Sequence, residues 1–415
     1  MKVITFHENA YRFLPEDFEK RYASSVVTTP YHELTNPAGV AESFGWHLDE
    51  LLEALRLGYD GVAITEHGQS SYDMVPNPCV LGGMIANAIR QEEPEKALVV
   101  IGRSLAKTRE PLRIAEEYAM LDAMSGGRLV AGFPMGLSYD ANVNQGLPAV
   151  ETRARAREAH DLILRAWTAT QPFAWNGKYS QYRTVNPWPR PVQRPRPPIW
   201  IPGGFSPATM AWTLDAGYAL SYLSWDGPSL VAKRIFDQFW GFAEERGLPR
   251  NPYRVAWTQN VGVAETDERA ECEYGPWLER AFRHGPGSIP DELYFVPGYV
   301  DKHGLEAMMR HPERLGIAPE LRTITLARLL ETQAVMLGSP ATLVDQITAF
   351  VTEYRIGNLM LVMQMGEMPH ELALKNIRMF SEEVLPSLQR IWDDEDWGHE
   401  WWPTGVAATT DLAQA

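Results

Sequence analysis

Eight times along the chain a short β-branched run is followed by an amphipathic stretch, and this rhythm constrains the fold more than any other feature. The runs are KVITFH from Lys2, YDGVAITEHG, ALVVIG, RLVAGF, PIWIPGG, YALSYLSW, RVAWTQNVGVA and NLMLVMQ. Between the first two, Leu48, Leu51, Leu52 and Leu55 recur at the spacing of one helix face. Pro111 opens the next clear helix and Gly126-Gly127 closes it, the usual N-terminal and C-terminal residues of a helix. Regular βα alternation means a parallel sheet covered by helices. Eight units favour closure, so the fold class expected is α/β, a single (β/α)8 TIM barrel over residues 1–392, with an open doubly wound sheet as the alternative.

Three segments interrupt the rhythm. A long polar loop follows strand one, residues 8–43. Residues 169–197 read as a hairpin and a stiff Pro-rich connection. Residues 267–335, punctuated by HGPGSIP and HPERLGIAP, read as an insertion after strand seven. Insertions after barrel strands sit on the catalytic face, so this one is expected to form a lid. Residues 393–415 form an acidic, Trp-containing tail.

Composition excludes several classes. The net charge of −15 comes without any Lys/Arg stripe, which argues against nucleic-acid binding. Two cysteines, Cys79 and Cys272, make neither a disulfide framework nor a zinc set, and the histidines show no metal-ligand spacing. His7 and Glu8 stand where a signal peptide needs an apolar run, and no stretch reaches the ~18 apolar residues of a membrane span. The expectation is a cytoplasmic protein.

Glu66-His67 is the sharpest chemical signal, because the pair ends strand two and an imidazole titrates near neutral pH. A histidine satisfied by local hydrogen bonds is the plain alternative. Gly203-Gly204 with Ser206 follows strand five and opens a helix, which makes either a phosphate cradle or a tight turn. Arg155 reads as a phosphate clamp or as part of a solvated helix face. Trp225 sits at a strand end, where pocket walls are made. No G-x-G-x-x-G follows any strand and no P-loop is present, so neither a Rossmann NAD site nor a nucleotide P-loop is supported.

Together these segments resemble the bacterial luciferase-like flavin monooxygenases. The similarity rests on YDGVAITEHG, PLRIAEEYAMLDAMSGGR at 111–128, PIWIPGG, Leu223-Ser224-Trp225, GSPATLVDQI and FSEEVLPSL, in that order. The resemblance implies that reduced FMN is the cofactor, supplied by a separate NAD(P)H-dependent reductase. It also implies that a flavin hydroperoxide formed with dioxygen oxygenates a small organic substrate, and that the protein is a homodimer. His67 is implied to move the proton, helped by Glu66; Arg155, Gly203, Gly204 and Ser206 to hold the phosphate; and Trp225 to wall the flavin pocket. Arg103-Ser104-Leu105 matches the place of a non-prolyl cis peptide beneath the flavin. One departure is Phe133-Pro134-Met135-Gly136, where luciferase has a cysteine and a phosphate-binding arginine. Rival readings are a deazaflavin-dependent oxidoreductase, a non-catalytic flavin-binding protein, and a glycoside hydrolase using Glu66 and Asp226.

Overall fold

In the computed structural model, residues 1–203, 206–294, 296–300 and 318–406 are described, with 306, 309 and 310. Eight parallel strands close into a barrel: β1 Lys2–His7, β2 Gly61–Ile64, β3 Ala97–Val100, β4 Leu129–Gly132, β5 Ile199–Pro202, β6 Ala219–Tyr222, β7 Val255–Val263 and β8 Asn358–Val362. Each strand pairs with the next, and β8 pairs back to β1 with Lys2 opposite Asn358. Every residue of β2 through β8 is buried, which is why most of these strands read as apolar runs rather than alternating ones, β7 excepted, with Thr258, Gln259 and Asn260 buried at its centre.

Helices cover the outside: α1 Pro37–Arg56, α2 Pro78–Glu92, α3 Pro111–Met124, α4 Thr152–Thr168, α5 Pro207–Asp215, α6 Leu230–Glu245, α7 Asp267–His284, α8 Pro340–Tyr354 and α9 His370–Glu383. Their starts are chemically specified. Asn36, Asn77 and Ser206 accept from the backbone N–H of Gly39, Cys79 and Thr209, satisfying donors that a helix leaves orphaned. The expected hairpin is present, as Phe173–Asn176 against Gln181–Val185.

Two features depart from the sequence reading. Val335–Gly338, placed at the edge of the insertion, forms an extra strand against Asn260–Val263, the outer half of β7. Four apolar residues carry no periodicity that separates strand from helix. The acidic tail is also more integrated than its composition suggests: Trp401 and Trp402 are buried. Trp200 donates to the Trp401 carbonyl at 3.0 Å and Arg254 stacks over the Trp401 ring, so residues 397–402 plug the N-terminal end of the barrel. Tryptophan supplies the apolar area that offsets the surrounding charge.

The inserted segment reaches over the opposite mouth. Ser288 accepts from the Ser25 backbone through its carbonyl, Ser138 donates to the Tyr294 carbonyl at 2.6 Å, and Tyr299 donates to the Gly136 carbonyl. These contacts join the described part of the insertion to the loops after β1 and β4.

A buried ionic knot braces the same mouth. Arg12 donates to Glu50, to His47 and to the Met368 carbonyl, while His370 bonds the other Glu50 oxygen at 2.9 Å. His7, His47 and Glu50 lie close enough to share an ion, but the Arg12 guanidinium already supplies the positive charge beside Glu50. Burial depresses the His7 pKa to about 4, so His7 is neutral at pH 7 and adds no charge to the knot.

Candidate functional site

The loop after β2 and a π-helical turn after β4, Tyr139–Val143, bring His67 and Asp140 together. His67 Nδ1 lies 2.6 Å from Asp140 Oδ2, and the Gly68 N–H donates to the other oxygen at 2.8 Å. The Tyr139 and Tyr72 hydroxyls sit 2.9 and 3.2 Å from the same ring nitrogen. Burial by itself would lower the His67 pKa. The charge and hydrogen bond of Asp140 outweigh it, helped by Asp73 and Glu8, and push the pKa up to about 9. His67 is therefore an imidazolium at neutral pH, with Nε2 free of any protein hydrogen bond among the described residues. Asp140 is correspondingly held below the usual carboxylate range: burial opposes this, and His67 and Lys107 overcome it.

Glu66 is engaged by the loop after β3 and makes no hydrogen bond to His67. Its oxygens accept from the Ser104 N–H at 2.9 Å, from Arg103 at 3.3 Å and lie 3.3 Å from Lys107. Gly102 permits this approach, because a Cβ there would lie 2.3 Å from the Glu66 nitrogen. Glu66 thus pins the loop after β3, and the carboxylate on His67 is Asp140. Arg103 extends outward to Glu117 of α3 at 2.6 Å, and Ser104 Oγ donates to the Met135 carbonyl. Cis peptide bonds occur at Trp188-Pro189 and Arg194-Pro195, so the expectation of one at Arg103–Leu105 is corrected: that segment is trans, with Arg103 at φ 152°.

A second cleft of about 190 Å³ opens between α4 and the start of α5. Arg153, Arg157, Phe133, Pro202 and Thr209 line it. Arg157 lies 3.5 Å over the Trp212 ring, and its Nη1 is buried with no hydrogen-bond partner among the described residues. Burial holds its pKa below the usual arginine value. The Thr209 hydroxyl, 2.9 Å from Ser206 Oγ, and the positive end of α5 complete an anion-binding corner. A half-buried guanidinium with one orphaned nitrogen, beside a helix N-terminus, fits a phosphate group.

Of the residues expected here, Ser206 is in place as the cap of α5, and Gly203, at φ 83°, makes the turn that leads into it. Gly204 lies outside the described residues. Arg155 does not line the cleft: it pairs with Glu151 at 2.7 Å and stacks on Tyr179. Arg153 and Arg157 take that position, since on a helix residues two apart face different sides. Trp225 is half-buried, edge-on to Phe282 of α7. Asp140, Tyr139, Arg153 and Arg157 had no distinguishing signal in the sequence; Asp140 lies in a loop and meets His67 only across 73 positions.

His67 and the cationic cleft both lie at the C-terminal mouth of the barrel, the face on which TIM-barrel enzymes carry their active sites. The chain belongs to the luciferase-like monooxygenase family, which it matches over residues 25–354. Limonene 1,2-monooxygenase of Rhodococcus erythropolis is 25% identical over 334 residues, covering 77% of this chain and 79% of that protein. The oxygenating constituent of 3,6-diketocamphane monooxygenase from Pseudomonas putida, in complex with FMN, superposes with a TM-score of 0.63 at 17% identity. That match covers 93% of this chain and 98% of the other. An F420-dependent secondary alcohol dehydrogenase in complex with an F420-acetone adduct gives the same TM-score at 15% identity, with the same coverage. Both likenesses bear on the fold. Among the described residues no helix is long and apolar enough to cross a membrane.

Proposed function

We propose that the protein is the oxygenase component of an FMN-dependent monooxygenase, receiving reduced FMN from a separate reductase. The observation that carries this reading is the pairing of a His67 imidazolium with an anion corner holding an unpartnered Arg157 at the same barrel mouth. Reduced FMN would supply the electrons that activate dioxygen. The chain's own residues do the rest. Arg157, Arg153, Thr209 and the α5 N-terminus hold the phosphate, Trp225 and the loop pinned by Glu66 bound the ring pocket, and the insertion excludes water. His67 presents a proton at Nε2 while Asp140 keeps its ring oriented.

The phosphate assignment is tested by titration. Arg157→Ala should weaken FMN binding more than tenfold, since a charge-assisted contact is worth roughly 1.5–3 kcal/mol. Arg155→Ala, which leaves that corner intact, should change it little. Equal losses would remove Arg157 from its role.

The structural likeness to an F420-bound enzyme keeps a deazaflavin reading in play. Parallel titrations with FMN, reduced FMN and F420 separate the two. Preferential binding of F420 would overturn the oxygenase reading.

A homodimer belongs to the same proposal, through the helices after β2 and β3. Ile114, Ala115, Ala119 and Leu121 of α3 are buried within the protomer. The exposed apolar side chains are instead Met120 and Met124 of α3 and Val80 and Met84 of α2, with Val80 73% exposed. Contiguous exposed apolar surface of this kind marks an interface. The double variant Val80→Glu, Met84→Glu should scatter light as a 46.8 kDa monomer while the parent scatters as a dimer. A monomeric parent would dispose of the dimer.

A further inference from the structure

A cleft of about 500 Å³ opens between the loop after β1 and the loop after β2, with His67 on its wall. That volume falls within the range of small-molecule sites. Leu14, Leu34, Val40, Phe44 and Met74 form most of its surface, with the rings of Tyr11 and Tyr31. Its uncharged polar groups come from residues such as Thr29, Thr35 and Gln69. No lysine or arginine lines it, although the chain carries 38 of them.

The electrostatics are equally selective. Two further carboxyls, Asp73 and Glu8, act on His67, and Asp73 lines the cleft. Burial raises the pKa of both, Asp73 well above its usual range, as expected of a site that disfavours charge. An anionic ligand entering here would give up its hydration without meeting a free cation, since His67 is already paired with Asp140. A neutral molecule pays no such penalty, and three aromatic rings favour a flat or cyclic body. His67 lines the wall, and with Nδ1 held by Asp140 its remaining donor is Nε2–H, suited to a carbonyl or hydroxyl oxygen.

We propose that this cleft takes the organic substrate, and that the substrate is a neutral, mainly hydrocarbon molecule, ring-containing, with a single carbonyl or hydroxyl oxygen directed at His67. Its role as a substrate rests on the oxygenase reading above; its binding preference does not. The residues that set the preference are the apolar side chains of the loop after β1, with Leu34 and Tyr31 at its exposed side.

The test uses the full chain without cofactor and a matched pair of probes, 2-acetylnaphthalene and 2-naphthoate, followed by calorimetry or by probe fluorescence. The neutral ketone should bind at least tenfold more tightly than the carboxylate at pH 7.5. Leu34→Arg should invert that order, weakening the ketone at least tenfold and tightening the carboxylate. Tyr31→Arg, at a side chain 58% exposed and so harmless to folding, should shift the preference in the same direction. Equal or tighter binding of 2-naphthoate by the parent chain would overturn the proposal. So would unchanged affinities in both variants. FMN titration of the same samples keeps the two readings apart. Ketone preference without FMN binding would sink the oxygenase reading and leave the cleft; FMN binding without ketone preference would do the reverse.

Discussion

Replacing His67 by alanine should slow product formation by about 10²–10⁴-fold, the usual contribution of a positioned acid–base group. FMN affinity should stay within about twofold, because the phosphate corner on α4 and α5 is separate from the loop after β2. Hydrogen peroxide released per NADH consumed should rise, as reducing equivalents are spent without oxygen transfer. The pH profile adds a readout that a purely structural role would not move. With a pKa of about 9 and the charged form required, activity should be level through neutrality and fall as pH rises through 9. Asp140→Asn removes the main stabiliser of the imidazolium, so the fall should move to lower pH. The same shift has a stability consequence of fixed sign. A histidine whose folded-state pKa exceeds its unfolded value of 6.5 stabilises the fold fully below that value and loses the contribution as pH rises through about 9. A folded, FMN-binding His67→Ala protein with unchanged product yield would end the assignment.

The largest stability effect is expected at the ionic knot. Glu50 and Arg12 are almost completely buried, so Glu50→Gln leaves the Arg12 guanidinium without its counter-charge inside the protein. Breaking a buried pair by removing one partner costs about 3–5 kcal/mol. Urea unfolding should show a loss of that size, and the double replacement Arg12→Met, Glu50→Leu should recover part of it, since an apolar pair avoids the desolvation that the ions incur. A loss under about 1 kcal/mol for Glu50→Gln would mean that water reaches the site and screens it. The knot joins the loop after β1, α1 and the start of α9, so its loss should also loosen the wall of the neutral cleft.

How far the residues alone carry the reading differs between fold and site. All eight barrel strands were legible, because a strand buried on both faces is mostly apolar and the helices between them keep their own period. His67, Ser206 and the turn at Gly203 were legible for a related reason: each follows directly from a strand end or a helix cap, where local chemistry dictates residue type. Arg155 against Arg157 was not. The RARAREAH stretch offers three arginines at alternate positions, and only the packing of α4 on the barrel selects those that face the cleft. Glu66 was placed next to His67 by adjacency in the chain, yet its carboxylate is taken up by Ser104, Arg103 and Lys107 of the loop after β3.

What the sequence determined by itself is the set of local interactions: the strand and helix periods, the caps, the glycine turns, and through their joint order the closed barrel of this family. What only the tertiary structure decided are the long-range pairings. Asp140 on His67, Arg157 on the Trp212 ring, Arg12 on Glu50, and the tail tryptophans beneath Trp200 join residues far apart along the chain. The physical reason is range. Backbone conformation and hydrophobic period are set within one or two turns of chain, whereas a charge finds its partner only when the barrel closes and removes both from water.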